Sequence, residues 1–194
     1  MELRGAGITV FCGSSPGANP VFLDTARQLG AALGTAGATL VYGGASVGLM
    51  GAVADAALGA GGKVLGVIPQ QLVDRELAHK GLTQLRVVAS MHERKTIMSD
   101  QAAGYVVLPG GYGTWEECFE VITWKQVGLH KKVVVLLNVA NYYAPLLAMV
   151  EAAVEQQFMR PAFKNYLLVA RDVPEAMALL RAYAEPAEPL AKWT

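Results

Sequence analysis

The sequence predicts an α/β domain in which helices cover both faces of an open, mainly parallel sheet. Short apolar runs alternate along the chain with longer helical patterns, as in successive βαβ units. Most of these runs are continuously apolar, which is typical of strands buried on both faces. The chain has 194 residues, which is the size of one domain. We therefore expect a single nucleotide-binding domain over residues 1–183 and a C-terminal tail over residues 184–194.

Seven apolar runs are predicted as strands. In chain order they cover residues 8–12, 39–42, 64–68, 85–88, 105–108, 133–137 and 167–169. Between the first two runs, Asn19 and Pro20 predict a helix start, because asparagine is a good N-cap and proline suits the first helical position. Gly37 predicts the end of that helix. Single-domain folds of this Rossmann-like type bind ligands at the carboxyl ends of their strands.

Composition excludes several classes of protein. Hydrophobic residues make up 53% and charged residues 16% of the chain, which is the opposite of the balance in disordered proteins. Lys and Arg number 16, as do Asp and Glu, so general basic charge for nucleic-acid binding is absent. The two cysteines and three histidines lack metal-site or disulfide spacing. We expect a soluble cytoplasmic protein with no metal or cofactor, no nucleic-acid partner and no membrane span.

The sharpest local feature is the glycine-rich segment 109–117, which follows the fifth predicted strand. Thr114 is predicted to open a helix that runs to about Gly128. Backbone N–H groups and the helix dipole at such a loop suit a bound phosphate. The alternative is a capping box in which Glu117 accepts a hydrogen bond from the Thr114 N–H group. The two interpretations are compatible, and the local pattern leaves both open.

Arg94 and Lys95 favour an anion site. Ser90 and Glu93 predict a capping box, so the helix begins at Met91 and both cations fall near its N-terminus, where the helix dipole disfavours positive charge. A bound phosphate or carboxylate would account for them. The alternative is a surface salt bridge.

The remaining polar candidates are weaker. The second glycine-rich loop, 43–51, shapes the same pocket or serves only its own turn. By residue type alone Glu76 is a solvated charge, Thr123 is a packing residue, Cys118 is a small core residue and His92 is a structural or pocket-lining residue.

The segments SMHERK (90–95) and LPGGYGTWEE (108–117) resemble those of the LONELY GUY (LOG) family of cytokinin riboside 5′-monophosphate phosphoribohydrolases. Members of this family were formerly labelled lysine decarboxylases. The resemblance extends over nearly the whole chain and includes CGSS (12–15), VITW (121–124) and LN (137–138). It implies a homodimeric Rossmann-like hydrolase that cleaves a nucleoside 5′-monophosphate, including AMP, to free base and ribose 5-phosphate.

The resemblance also implies roles for individual residues. Arg94 and Glu117 match the catalytic pair of the family. The residues that match substrate contacts are Glu76, Lys95, Gly110, Gly111, Tyr112, Gly113, Thr114, Trp115, Glu116 and Thr123.

Two positions depart from the family pattern. Ala45 replaces a glycine of the second glycine loop and would be strained by about 1 kcal/mol if its φ were positive. Ala103 stands where many relatives carry an aspartate. Both departures bear on the choice of base rather than on the reaction.

The chemistry of the reaction gives Arg94 and Glu117 different roles. Cleavage of a ribosyl C–N bond builds positive charge on the sugar, which the Glu117 carboxylate can stabilise, while Arg94 positions the substrate. A prenylated adenine needs an apolar pocket, for which Met50, Met91, Trp115 and Trp124 are candidates.

Two rival functions remain. One is a non-catalytic nucleotide or molybdenum-cofactor carrier of the same fold. The other is a pyridoxal-dependent decarboxylase, for which no segment suggests the required Schiff-base lysine.

Overall fold

A computed structural model describes residues 1–75 and 77–184. Glu76 and residues 185–194, which are most of the predicted tail, lie outside the described residues. The strands are β1 (Gly7–Phe11), β2 (Thr39–Tyr42), β3 (Lys63–Pro69), β4 (Gln84–Val88), β5 (Gly104–Val107), β6 (Val133–Leu137) and β7 (Leu168–Ala170). They form one sheet in the order β4-β3-β2-β1-β5-β6-β7, and every pairing is parallel. The predicted fold class is confirmed.

Within the described residues six α-helices lie between successive strands and a seventh follows β7. They are α1 (Pro20–Thr35), α2 (Gly48–Gly59), α3 (Gln70–Val73), α4 (Met91–Asp100), α5 (Tyr112–Gln126), α6 (Ala144–Glu155) and α7 (Val173–Ala182), with 3₁₀ turns at Val139–Asn141 and Pro161–Tyr166. None of the described helices is both long and apolar enough to cross a membrane.

The predicted ends of α1 are confirmed. The Asn19 side chain accepts a hydrogen bond from the Val21 N–H group at 3.1 Å, and Pro20 is the first helical residue. Beyond the last helical residue, Thr35, the chain turns at Gly37 with a φ of +72°. Glycine adopts this left-handed conformation without the steric cost of a Cβ atom.

Strand β6 shows how the two hydrophobic layers form. Val133, Val135 and Leu137 pack in the layer that contains α1, α2 and α7. Val134 and Leu136 pack in the other, with α4 and α5. Since successive side chains of a strand point to opposite faces, one continuous apolar run supplies both layers.

The position of the ligand site follows from the strand order. From β1 the chain builds outward to β4, then crosses to β5 on the other side of β1 and builds outward to β7. The loops after β1 and β5 therefore leave in different directions, which opens a crevice at their carboxyl ends.

Helices α1 and α2 approach closely because α1 presents glycines to α2. A Cβ atom on Gly30 would lie 2.1 Å from the Val53 carbonyl oxygen. One on Gly34 would lie 2.6 Å from the Ala57 carbonyl oxygen. Backbone sits on both sides of this contact, so no side-chain rotation can make room.

We expect Gly30→Ala to lower the free energy of unfolding by about 2 kcal/mol, because the helices must separate to admit the methyl group. The measurement is urea denaturation. Gly59→Ala is the matched control, since a Cβ atom there meets nothing within 4 Å. The control should match or exceed the wild-type stability. Equal effects of the two substitutions would contradict the packing argument.

Candidate functional site

A cavity of about 350 Å³ opens at the carboxyl ends of the central strands. We call it the central cavity. Its lining includes the polar residues Arg94, Thr114 and Glu117. It also includes the apolar residues Val47, Met50, Leu72 and Leu77, which we call the apolar lining. Further residues from the loops after β1, β2 and β5 complete the lining, as predicted for a ligand site in this fold.

Arg94 and Glu117 form a buried ion pair. Arg94 Nη1 donates to Glu117 Oε1 at 2.7 Å, and the two side chains are only 9% and 8% exposed. Arg94 Nε also donates to the Val67 carbonyl oxygen at 3.1 Å, which anchors the guanidinium at the end of β3. The surface salt-bridge alternative is therefore wrong for Arg94.

Arg94 lies on α4 and Glu117 lies on α5, and the start of α4 agrees with the sequence prediction. The Glu93 N–H group donates to Ser90 Oγ at 3.1 Å, so the predicted cap of α4 is confirmed and Met91 begins the helix. The Glu93 carboxylate accepts from the Ala89 N–H group at 2.9 Å. This cap places Arg94 in the first turn of α4.

The predicted start of α5 is wrong. The helix begins at Tyr112 with Gly111 as N-cap, two residues before Thr114. The capping-box alternative fails with it, because the Glu117 carboxylate pairs with Arg94. Thr114 is instead buried, and a Cβ atom on Gly110 would lie 2.1 Å from its Oγ1 atom.

The start of α5 presents exposed backbone to the crevice. The first N–H groups of a helix have no partner within it. A Cβ atom on Gly111 or Gly113 would meet nothing within 4 Å, so open space lies beside this turn. The geometry suits the predicted anion cradle.

The second glycine-rich loop seats the Arg94 guanidinium. A Cβ atom on Gly43 would lie 2.3 Å from Arg94 Nη2, so any larger residue would displace that group. Gly44 has a φ of +78°, whereas Ala45 is not among the residues with positive φ. The strain considered for Ala45 is therefore absent. Ala103 lies at the other end of the sheet, where its N–H group donates to the Gly7 carbonyl oxygen.

Burial dominates the electrostatics of the cavity. It raises the pKa of the Glu117 carboxyl above its ordinary value, while the Arg94 guanidinium opposes that change. It also raises the pKa of the Cys12 thiol, which lines the cavity beside the pair. Cys12 is therefore protonated at neutral pH. For Glu117, the Arg94 guanidinium favours the ionised carboxylate against the effect of burial.

Lys95 lies apart from Arg94 although the two are adjacent in sequence. Its ammonium group contacts Glu116 Oε1 at 2.5 Å and Glu120 Oε1 at 2.9 Å and so links α4 to α5. Thr123 is exposed on α5 and follows Glu116 and Glu120 by seven and three residues, so it continues the same helix face. These residues do not line the central cavity.

The remaining candidates lie in different places. Trp115 lines a second cavity of about 400 Å³, together with Phe22 and Tyr142, and it makes an edge contact with exposed Tyr112. Of the proposed apolar pocket residues, Met50 alone lines the central cavity, while Met91 is exposed and Trp124 packs on the core.

Two further predictions can be checked. Cys118 is buried in the core as predicted, whereas His92 is exposed and does not line the central cavity, so the pocket-lining interpretation of His92 is wrong. Glu76 lies outside the described residues. Within residues 1–75 and 77–184, no cluster of three or more His, Cys, Asp or Glu side chains could hold a metal ion.

Sequence reasoning missed Val47, Leu72 and Leu77. These are ordinary apolar residues, and only the folded chain brings them into the same cavity as Arg94 and Glu117.

Comparison with known proteins gives one consistent family. The model described as possible lysine decarboxylase matches residues 50–180. A relative from Rhodococcoides fascians named cytokinin riboside 5′-monophosphate phosphoribohydrolase is 47% identical over 176 residues, which cover 90% of this chain and 89% of the relative. An Arabidopsis thaliana protein of the same name is 46% identical over 176 residues, covering 91% and 81%.

Solved structures of lower identity share the fold. The molybdenum cofactor binding protein from Rippkaea orientalis has a TM-score of 0.71 at 23% identity and covers 93% of this chain and 98% of its own. The Moco carrier protein from Chlamydomonas reinhardtii has a TM-score of 0.70 at 24% identity, covering 92% and 96%. At these identities the likeness establishes the fold alone.

Removing one member of the buried pair should make stability depend on pH. In Arg94→Met the Glu117 carboxyl loses its counter-ion, so its folded-state pKa rises further above the unfolded value. The free energy of unfolding of the variant is therefore highest below the unfolded pKa of Glu117 and is lowered as pH rises through the folded pKa. We expect the variant to lose about 3 kcal/mol relative to wild type at about pH 8 and less at about pH 5.

The measurement is chemical denaturation at both pH values. The double variant Arg94→Met/Glu117→Gln is the control, because a neutral amide removes the titrating group. Its free energy of unfolding should differ less between the two pH values than that of Arg94→Met. A pH-independent loss in Arg94→Met itself would show that Glu117 carries no buried charge.

Proposed function

The chain belongs to the family of cytokinin riboside 5′-monophosphate phosphoribohydrolases, and from that premise we propose how its own residues hydrolyse the N-glycosidic bond of a nucleoside 5′-monophosphate. The products are the free base and ribose 5-phosphate. The observation that carries the proposal is the buried ion pair between Arg94 and Glu117, placed beside the exposed start of α5.

Glu117 meets the electrostatic demand of the reaction. As the C–N bond breaks, positive charge develops on the ribose ring. A carboxylate that is buried and fixed in place stabilises such charge strongly, because little water screens it. Glu117 therefore lies beside the ribose, where it stabilises the oxocarbenium-like transition state and orients the attacking water.

Arg94 keeps Glu117 ready for this task. Burial alone favours the neutral acid, and the guanidinium 2.7 Å away opposes that effect. Two anchors, the Val67 carbonyl and the Glu117 carboxylate, fix its orientation and leave its remaining donors for the substrate.

The 5′-phosphate is held at the start of α5. The backbone N–H groups of residues 111–114 and the positive end of the helix dipole supply the binding energy. Tyr112 and Trp115 border this turn on the solvent side. We place Lys95, Glu116 and Thr123 at the rim of the site, where the Lys95–Glu116 ion pair joins α4 to α5.

The family description as a possible lysine decarboxylase does not fit the cavity. A pyridoxal enzyme needs a lysine that forms a Schiff base at the reacting centre. Among the described residues that line the central cavity there is no lysine, and the ammonium group of Lys95 is engaged by two carboxylates. A carrier function, in turn, would leave the buried Arg94–Glu117 pair without a task.

We expect Glu117→Gln to lower kcat by at least about a hundredfold while the nucleotide still binds, because the amide keeps the shape of the carboxylate without its charge. The measurement is release of free base from AMP and from isopentenyladenosine 5′-monophosphate, followed by chromatography. Glu151→Gln, which alters an exposed carboxylate paired with Lys164, should retain full activity. Undiminished base release by Glu117→Gln would exclude Glu117 from the chemistry.

We further propose that the protein is a homodimer in the cytoplasm and that the second copy covers the layer formed by α4, α5 and α6. Helix α6 is rich in apolar residues, yet none of them is buried within the chain. Met91 on α4, Phe119 on α5 and Met149 on α6 are 48%, 45% and 68% exposed. Large apolar side chains grouped on one layer are typical of a protein interface.

Phe119→Glu should produce a monomer, because it places a charge in the proposed interface. The measurement is sedimentation velocity at several protein concentrations. Val21→Glu, at a similarly exposed apolar position on the opposite layer, should remain a dimer. A dimer that tolerates Phe119→Glu and is lost in Val21→Glu would place the interface on the other layer.

A further inference from the structure

The apolar lining of the central cavity includes a residue from a segment that follows α3. This segment, residues 77–81, contributes Leu77 to the cavity. Resting on the proposed function, we propose that a hydrogen bond between Asp55 and His79 positions the 77–81 segment and so sets the preference for a base with an apolar substituent. His79 is then a positioning residue that acts through Leu77.

Backbone contacts join the segment to the loop after β2. The Ser46 N–H group donates to the Leu77 carbonyl oxygen at 2.9 Å, and the His79 N–H group donates to the Gly44 carbonyl oxygen at 2.9 Å. Ala45 and Ala78 form an antiparallel bridge between these two hydrogen bonds. So short a ladder holds a chain weakly unless other contacts support it.

The His79 side chain supplies that support. Its Nδ1 atom accepts a hydrogen bond from the Gly81 N–H group at 3.0 Å. A neutral ring therefore carries its proton on Nε2, which lies 2.8 Å from Asp55 Oδ1 and donates to it. The imidazole is only 11% exposed, although Asp55 on α2 is 70% exposed. The His79 ring thus links the 77–81 segment to helix α2.

The proposed positions of the phosphate and the ribose assign the apolar lining to the base. The proposed placement of the phosphate at the start of α5 and of the ribose at Glu117 assigns the charged groups of the cavity to those two parts. The apolar lining, Val47, Met50, Leu72 and Leu77, is then available to the base. An apolar substituent on the base gains binding energy by burial against these side chains.

The expected effect of weakening the contact follows from this assignment. A displaced Leu77 weakens binding at the base end of the substrate, while Glu117 and Arg94 keep their geometry. KM should therefore rise with little change in kcat. A residue with a merely structural role would lower thermal stability without separating KM from kcat or one base from another.

The test compares Asp55→Ala with Asp55→Asn, using isopentenyladenosine 5′-monophosphate and AMP as substrates. We expect Asp55→Ala to raise KM for the isopentenyl nucleotide about fivefold, with kcat nearly unchanged and a smaller effect for AMP. Asp55→Asn should retain wild-type kinetics, because its amide oxygen accepts the same hydrogen bond from His79. His79→Ala is the second variant and should reproduce Asp55→Ala.

Asp24→Ala is the matched control, since it removes an exposed aspartate that pairs with Arg27 on α1. It should leave both KM values unchanged. The proposal is overturned if Asp55→Ala alters neither KM, if it alters both equally, or if Asp55→Asn is as impaired as Asp55→Ala.

Direct binding separates this proposal from the proposed function. If the wild type released no base, the hydrolase function would fail, and calorimetric titration of the two nucleotides would still test the positioning role. Weaker binding of the isopentenyl nucleotide alone by Asp55→Ala would support the role of His79. Unchanged affinity would refute it.

Discussion

The site depends on burying one carboxylate and one guanidinium against each other. Burying either charge without the other would cost several kcal/mol, which is a large share of the stability of a domain. Burial of this pair constrains three neighbouring parts of the chain. Residue 43 is glycine because the Arg94 guanidinium occupies the space of a side chain. The end of β3 provides the Val67 carbonyl, and the Ser90 cap sets where α4 begins.

The same pair explains how one cavity can serve opposite charges. In the proposed mechanism the start of α5 offers partial positive charge to a phosphate, whereas Glu117, one turn further along that helix, offers negative charge to a ribose that becomes cationic. The Arg94 guanidinium holds the Glu117 carboxylate in place through a hydrogen bond of 2.7 Å. Parallel topology makes this arrangement possible, because the loops after β1, β2 and β5 all open at one edge of the sheet.

Sequence patterns were sufficient for the sheet and for part of the site. Strand β6 could be predicted to the residue, because a run of five β-branched and aliphatic residues buried on both faces has no competing interpretation. The first residue of α5 could not be predicted from the sequence, because Gly111 and Thr114 are both acceptable N-cap residues. Which of them caps the helix depends on tertiary contacts. Arg94 and Lys95 are equivalent in the sequence, and only the rotation of α4 against α5 decides which cation is buried. Asp55 and His79 are 24 residues apart and carry no shared motif.

The central claim is that water attacks the ribose carbon of a nucleotide held between Glu117 and the start of α5. The most direct measurement is mass spectrometry of the products formed from AMP in water enriched in oxygen-18. The claim predicts one labelled oxygen on C1 of ribose 5-phosphate, in the first turnovers and with none in the phosphate. Label in inorganic phosphate, or nucleotide recovered intact from the protein, would contradict it.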